Sequence, residues 1–231
     1  MVVSGRNEEE LVKLVAEIKK DYNNYDIEYK TAEATNEQDA KELVKFTMEK
    51  FGRIDILVLA AGVSYRTKFS EMNDMSLFKK AMDINLMGYV YLMKAALDPL
   101  KKVNGQVVVL SSVSGIMGTP LRSPYCATKF AVNGFFSALR LEVPEISFTL
   151  IYPPTVVGTN FRNNTLTGAI KQMDEPSVGG IDLNRAVDII VMASDRKLEE
   201  MVFPTKIWLL RNIDNMYPPL AKYLMLKYGK L

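Results

Sequence analysis

The run Val107-Val-Val-Leu-Ser-Ser112 restricts the fold more than any other stretch of this chain. Four aliphatic residues follow one another with no polar residue at alternate positions, so both faces of the strand they form must be covered. Strands of that kind belong to parallel sheets with helices on both sides. The rest of the chain has the same rhythm. Residues 2–5 read as a strand, and Asn7-Glu-Glu-Glu10 opens a helix through about Tyr22, its acids suiting the positive end of the helix dipole. Ile27 to Ala32 and Ile54 to Ala60 read as strands, separated by a helix from Thr35 to Lys50. A long helical region from Ser76 to Lys101 leads to strand 106–111, helix 124–141 and strand 147–152. Helices near 184–194 and 217–228, with a short strand at 201–203, complete the chain. Strands alternating with helices predict an α/β architecture, a doubly wound parallel sheet with helices on both faces. With no repeat, low-complexity tract or linker, residues 1–231 read as a single domain.

Composition removes several function classes. A net charge of +2 without any basic run gives no basis for binding nucleic acid. The single cysteine, Cys126, excludes an internal disulfide framework and suits a reducing compartment, so a cytoplasmic location is expected and helix packing is its expected role. The chain has no histidine, so no histidine-based triad or histidine-ligated metal can form and no metal site is expected. Proton chemistry must rest on tyrosine, lysine or carboxylates. No stretch approaches the roughly 18 apolar residues of a membrane span, and the start lacks a signal-peptide pattern.

Tyr125 and Lys129 stand four apart on the helix expected over 124–141, and so share a face. An ammonium beside a phenol favours the phenolate and brings the tyrosine's proton exchange nearer neutral pH. On its own the pair reads better as a half-buried tyrosine and a solvated lysine on a surface helix. Its surroundings decide otherwise. Ser112 ends the buried strand thirteen residues before the tyrosine, and ligands of open α/β sheets bind beyond the carboxyl ends of strands. A hydroxyl to hold a substrate oxygen, beside a tyrosine to move a proton, is equipment for proton transfer coupled to hydride transfer.

In these residues the chain resembles the short-chain dehydrogenase/reductase family, along essentially its whole length. Phe51-Gly-Arg-Ile-Asp-Ile-Leu-Val58 is similar to the approach to the family's fourth strand, and Met82-Asp-Ile-Asn-Leu-Met-Gly88 to its segment carrying a fourth catalytic residue. The resemblance implies a Rossmann-like fold and a catalytic set of Ser112, Tyr125, Lys129 and Asn85. By that resemblance Tyr125 would exchange the substrate proton, Lys129 would lower its pKa and hold the nicotinamide ribose, Ser112 would bind the reacting oxygen, and Asn85 would place a relay water. The family also opens with a strand, a glycine-rich loop and a helix that cradle the pyrophosphate. Here Met1-Val-Val-Ser-Gly-Arg6 is similar to the family's second strand, so the first strand and helix are missing from this sequence. That strand would sit centrally, leaving a gap of roughly 10 Å between its neighbours unless they close up. Two explanations stay open: an upstream segment exists through a missed exon or internal start, which is the expectation, or the chain is a truncated product.

The remaining expectations follow from the resemblance. Arg6 stands where NAD-preferring members carry an acid, which favours NADP(H) over NAD(H) through pairing with the 2′-phosphate; a surface cap on the strand end is the alternative. Glu33 and Ala34 take the adenine-contacting stretch, with a solvated loop carboxylate as the alternative for Glu33. Leu59-Ala-Ala-Gly62 keeps only Ala61 and Gly62 of the family's Asn-Asn-Ala-Gly, which lowers cofactor affinity more than it alters chemistry. Pro153, Val157 and Thr159 are expected near the nicotinamide carboxamide. A variable lid over 159–182 offers Phe161, Leu166 and Ile170 to a lipophilic ketone or alcohol: a steroid, retinoid or keto-lipid. Lid and tail, the latter from Phe203 through Tyr223, are similar to the 11β-hydroxysteroid-dehydrogenase-like branch, whose members commonly sit on endoplasmic reticulum or lipid droplets. The apolar tail residues Met216, Leu220, Leu224, Met225 and Leu226 fit either peripheral membrane contact or, as expected, packing. The sequon Asn163-Asn-Thr165 is expected to go unused. Helices 76–101 and 124–141 carry more apolar surface than one sheet needs and imply a homodimer, with a thick core as the alternative. A second class remains beside the enzyme: an inactive binding or dimerising protein lacking the pyrophosphate cradle.

Overall fold

The computed structural model describes residues 1–22, 25–162, 165–166 and 180–228. Strand β1 (Val2–Gly5) runs into α1 (Glu8–Asp21), β2 (Glu28–Thr31) and α2 (Glu37–Phe51). Local chemistry sets these boundaries. The Asn7 side chain accepts from the Glu10 N–H at the start of α1, and Asn36 accepts from Gln38 and Asp39 at the start of α2. Helix α2 stops at Gly52, whose φ of +73° a residue with a β-carbon adopts only at a cost.

After β3 (Ile56–Leu59), the expected continuous helix over 76–101 is divided. Helix α3 (Met75–Met82) gives way to a π-helical turn (Asp83–Met87) and then α4 (Gly88–Lys102). A π turn inserts an extra residue and re-aims the side chains around it; here it turns Asn85 inward. β4 (Gln106–Leu110), α5 (Ser123–Glu142) and β5 (Ser147–Tyr152) follow as expected. The short strands β6 (Val156–Val157) and β7 (Ile181–Asp182) pair with each other, ahead of α6 (Leu183–Asp195) and β8 (Glu200–Val202). The end of the chain differs from expectation by one helix. α7 (Thr205–Met216) precedes α8 (Pro218–Tyr228), and Ile207 and Leu210 of α7 are buried beneath the pair with Ala221.

The strands are parallel throughout and form a sheet ordered β3-β4-β5-β8 and a separate pair β1-β2. β4 is covered on both faces. Val107 and Val109 pack with Leu59, Met93, Ala96, Leu100, Val132 and Phe136, whereas Val108 joins Ile151, Ala186 and Ala193 beneath α6. Among the described residues β1 and β3 are not hydrogen-bonded to one another, so they do not pair across the position of the expected central strand. On β3, Leu59 faces the core while Ile56 and Val58, on the other face, are each more than half exposed at 53% and 54%. The β1–β2 pair is tied to the larger sheet through its following loop. A Cβ at Gly88 would lie 2.8 Å from the Ala34 carbonyl oxygen, so glycine at the start of α4 is what permits this contact.

Candidate functional site

The site lies beyond the carboxyl end of β4. Ser112 caps a single 3₁₀ turn (Val113–Gly115), its Oγ accepting from the Ser114 N–H at 3.1 Å. The loop then returns through Leu121, whose φ is +63° and whose carbonyl accepts from the Thr67 N–H at 2.9 Å. Pro124 at the start of α5 fits a position where no N–H is needed. One turn on, Tyr125 and Lys129 point inward, 4% and 3% exposed. Neither the half-buried tyrosine nor the solvated lysine of the bare-motif reading is what the fold contains.

Burial is the largest influence on Tyr125 and raises its pKa above the usual phenol value; the Ser112 hydroxyl, hydrogen-bonded to the phenol, and the Arg122 guanidinium pull the other way. Arg122 stacks over the ring at 5.9 Å and Phe161 leans against it at 6.2 Å. The spacing alone suggests that Lys129 depresses this tyrosine. In the structure the ammonium instead donates to the Leu110 carbonyl at 2.9 Å and lies 5.4 Å from the centre of the Tyr89 ring. Desolvation lowers the pKa of Lys129 from 10.5 to about 8.

Asn85, wholly buried, ties three elements together. Its Oδ1 accepts from the Val63 N–H at 2.8 Å, and its Nδ2 donates to the Val63 carbonyl and to Thr128 Oγ1, each at 3.0 Å. Thr128 in turn donates to the Tyr125 carbonyl at 2.8 Å. The role that this geometry displays is bracing: it joins the segment after β3 to the helix bearing the tyrosine and lysine. Gly62 completes the wall. A Cβ there would lie 3.2 Å from Asn85 Oδ1 and 4.0 Å from Lys129 Nζ, so its absence leaves room beside the ammonium.

Ser112, Tyr125, Lys129, Asn85 and Gly62 therefore come together. Ala61 is exposed on the same segment, and Pro153 accepts from the Val113 N–H at 3.1 Å, binding the loop after β5 to the Ser112 turn. Val157 is exposed and Thr159 donates to the Val156 carbonyl at 3.5 Å. Arg6 is exposed at the end of β1. Glu33 is engaged locally: its N–H donates to Asp39 at 2.8 Å and its carboxylate accepts from Thr35 at 3.5 Å, while Ala34 lies against Gly88. Of the lid, Phe161 faces Tyr125 and Leu166 packs on Val63, Ala81 and Ile84, its N–H donating to Ser64. Ile170, the sequon asparagines and most of 159–182 lie outside the described residues.

Three contributors escape a reading by motif. Thr128 and Tyr89 look like core, and Arg122 looks like surface; only the inward turn of Tyr125 and the position of α4 bring them to the site. Cys126 does more than pack: its Sγ lies 3.3 Å from Thr119 Oγ1, which bonds Ser114 Oγ at 3.1 Å, bracing the loop before α5. Among the described residues no group of histidine, cysteine and carboxylate side chains could hold a metal ion, and no helix is long and apolar enough to cross a membrane.

Known proteins share the sequence pattern and the fold. The family profile for short chain dehydrogenases matches residues 1–169. The 11-beta-hydroxysteroid dehydrogenase A of Sesamum indicum is 38% identical over 154 residues, 66% of this chain and 44% of that protein. A Dictyostelium discoideum dehydrogenase/reductase SDR family protein 7-like is 28% identical over 233 residues, covering 99% of this chain and 73% of that protein. The chain thus spans less than half the length of the sesame relative. An alcohol dehydrogenase from the archaeon Thermococcus sibiricus, solved in complex with 5-hydroxy-NADP, superposes with a TM-score of 0.75 at 23% identity, covering 87% of this chain and 83% of that one. That likeness extends the shared α/β fold well past the profile match, and with residues 1–169 matched the chain belongs to the short-chain dehydrogenase/reductase family.

Proposed function

We propose that this protein is an NADP(H)-dependent oxidoreductase interconverting a ketone and a secondary alcohol on a lipophilic substrate. The observation that carries the reading is the meeting of Ser112, Tyr125 and Lys129 at the end of β4, braced by Asn85. The residues fit a nicotinamide and its ribose: the Lys129 ammonium is buried beside the opening that Gly62 leaves. Lys129 and Gly62 would hold the ribose, Ala61, Pro153, Val157 and Thr159 the nicotinamide end, Glu33 and Ala34 the adenine, and Arg6 the 2′-phosphate. The dinucleotide supplies or accepts the hydride when bound.

The protein's own part is oxygen and proton handling. Ser112 donates to the substrate oxygen and so orients the carbonyl toward Tyr125. Tyr125, kept protonated at neutral pH by its burial, passes its phenolic proton to that oxygen as negative charge develops there. The protonated phenol is the form that can donate to the oxygen in ketone reduction, and the same group would take the proton back in alcohol oxidation. Phe161 supplies apolar surface against the Tyr125 ring, consistent with a lipophilic substrate. The steroid named for the sesame relative supports the same class.

Two surfaces support partners. The outer face of α5 presents Ala127, Phe130, Gly134, Ala138 and Leu141 in one stripe, the last 81% exposed, and is where a homodimer would pair. On α7 and α8, Trp208, Leu209, Met216, Tyr217, Leu220 and Tyr223 are exposed beside Lys206 and Lys222, a surface suited to peripheral contact with an endoplasmic reticulum or lipid-droplet membrane.

The open edges of β1 and β3 favour a second reading, a catalytically inactive dimerising or binding protein. One experiment separates the two: NADPH oxidation with a panel of lipophilic ketones, for the chain and for Tyr125→Phe. Turnover that falls by about 10²–10⁴-fold in the variant is expected. A folded protein that neither binds NADPH nor turns over would refute the enzyme reading for this chain.

A further inference from the structure

Tyr89 lies on the first turn of α4, 2% exposed, four residues beyond Asn85. Its ring lies under the Lys129 ammonium, with Nζ 5.4 Å from the ring centre. Its hydroxyl donates to the Leu110 carbonyl oxygen at 3.2 Å, the same oxygen that accepts from Lys129 at 2.9 Å. The tyrosine itself cannot swing away. Phe136 meets it edge-on at 6.5 Å, and Phe136 is in turn held by Phe135 at 5.0 Å and Phe148 at 6.1 Å.

A lysine carries its charge on a flexible four-carbon stem and does not choose one position unaided. Here the carbonyl fixes the ammonium in distance, and the ring face, negative at its centre, fixes the side from which it is approached. Such an attraction is strongest where water is excluded. The groups around Lys129 are otherwise neutral: Tyr125 on its own helix, Asn85 on the π turn, Gly62 after β3 and Ser112 after β4. No carboxylate is among the influences on the lysine, whose proton affinity is lowered by burial. The Leu110 carbonyl and the aromatic face are therefore what favour the cation in this site.

We propose that Tyr89 is a positioning residue for Lys129, its ring face and shared carbonyl holding the charged ammonium in place beneath Gly62. The proposal deepens the enzyme reading above, because a lysine that serves the reaction must keep both its charge and its place. Its principal test does not depend on that reading.

The test is an NMR titration of the Lys129 side chain in the full chain, carrying ¹³C-labelled lysine, with the signal assigned by its loss in Lys129→Met. Three proteins are compared: the parent, Tyr89→Phe, and Tyr89→pentafluorophenylalanine, which keeps the ring shape but reverses the charge distribution of its face. Tyr89→Phe should titrate close to the parent, because the ring remains. The pentafluoro variant should titrate lower by about one unit. Equal midpoints in all three folded proteins would overturn the proposal, leaving Tyr89 as packing. The alkaline limb of kcat for ketone reduction, measured on the same proteins, should move with the titration while KM for the ketone stays constant. A titration shift in proteins without any turnover supports the Tyr89–Lys129 pairing and counts against the enzyme reading alone.

Discussion

Replacing Lys129 by methionine should make this protein more stable at neutral pH while abolishing any turnover. The lysine is 3% exposed, and burial brings its pKa from 10.5 to about 8. That difference, at about 1.4 kcal/mol per unit, corresponds to a cost of about 3 kcal/mol for carrying the charge into the fold. Below pH 8 both the folded and unfolded chains hold the proton, so the whole cost is present. Between pH 8 and 10.5 the unfolded chain still holds a proton that the folded chain has released, and stability rises with pH. Above that window the cost is gone. Methionine has a similar straight stem and no charge, so Lys129→Met should gain up to about 3 kcal/mol at pH 7 and progressively less toward pH 10.5. Urea unfolding followed by circular dichroism at several pH values reads both quantities. Taking the difference between the two proteins cancels the contributions of Tyr89 and Tyr125, whose pKa values burial raises in both. A variant less stable than its parent at pH 7, or a difference that stays flat between pH 7 and 10.5, would show that this reasoning about burial is wrong.

Asn85→Ala strips the Val63 N–H and carbonyl of their buried partners and should cost about 2–4 kcal/mol in urea unfolding, and a loss under 1 kcal/mol would mean that water replaces the amide readily. Gly88→Ala drives a methyl to within 2.8 Å of the Ala34 carbonyl oxygen and should destabilise by about 1–3 kcal/mol, read as a lower melting temperature; an unchanged melting point would show that the β2–α2 loop yields freely. Because burial holds the Tyr125 proton on, reduction catalysed by the parent chain should show no loss on the tyrosine's account as pH rises from 6 to 8; a fall in that range that tracks a phenolate absorbance signal lost in Tyr125→Phe would contradict the raised pKa.

How legible the chain was depends on the range of each interaction. The strands at 106–110 and 147–152 were readable because a doubly covered strand has to be apolar at successive positions. Helix starts at Asn7 and Asn36 were readable because capping is settled within three residues. α7 was not among the expected helices although Ile207, Leu210 and Ile213 repeat every third residue; three apolar positions are a short signal, and what buries them is packing on Val113, Met117 and Ala221 from distant segments. The π turn was not legible at all. It exists because Asn85 is drawn to Val63 and Thr128, partners 22 and 43 residues away.

The sequence by itself determined the parallel α/β architecture, the order of its elements and the presence of a serine, tyrosine and lysine at one sheet end. These follow from periodicity and spacing, which are local. Only the tertiary structure decided the state of those side chains. The depth of burial that raises Tyr125, the Leu110 carbonyl and Tyr89 ring that hold Lys129, and the closeness of Gly88 to Ala34 depend on how α4 and α5 settle against the sheet. Desolvation and hydrogen-bond geometry change over fractions of an ångström, and nothing in the spacing of residues along a chain specifies distances that small between segments so far apart.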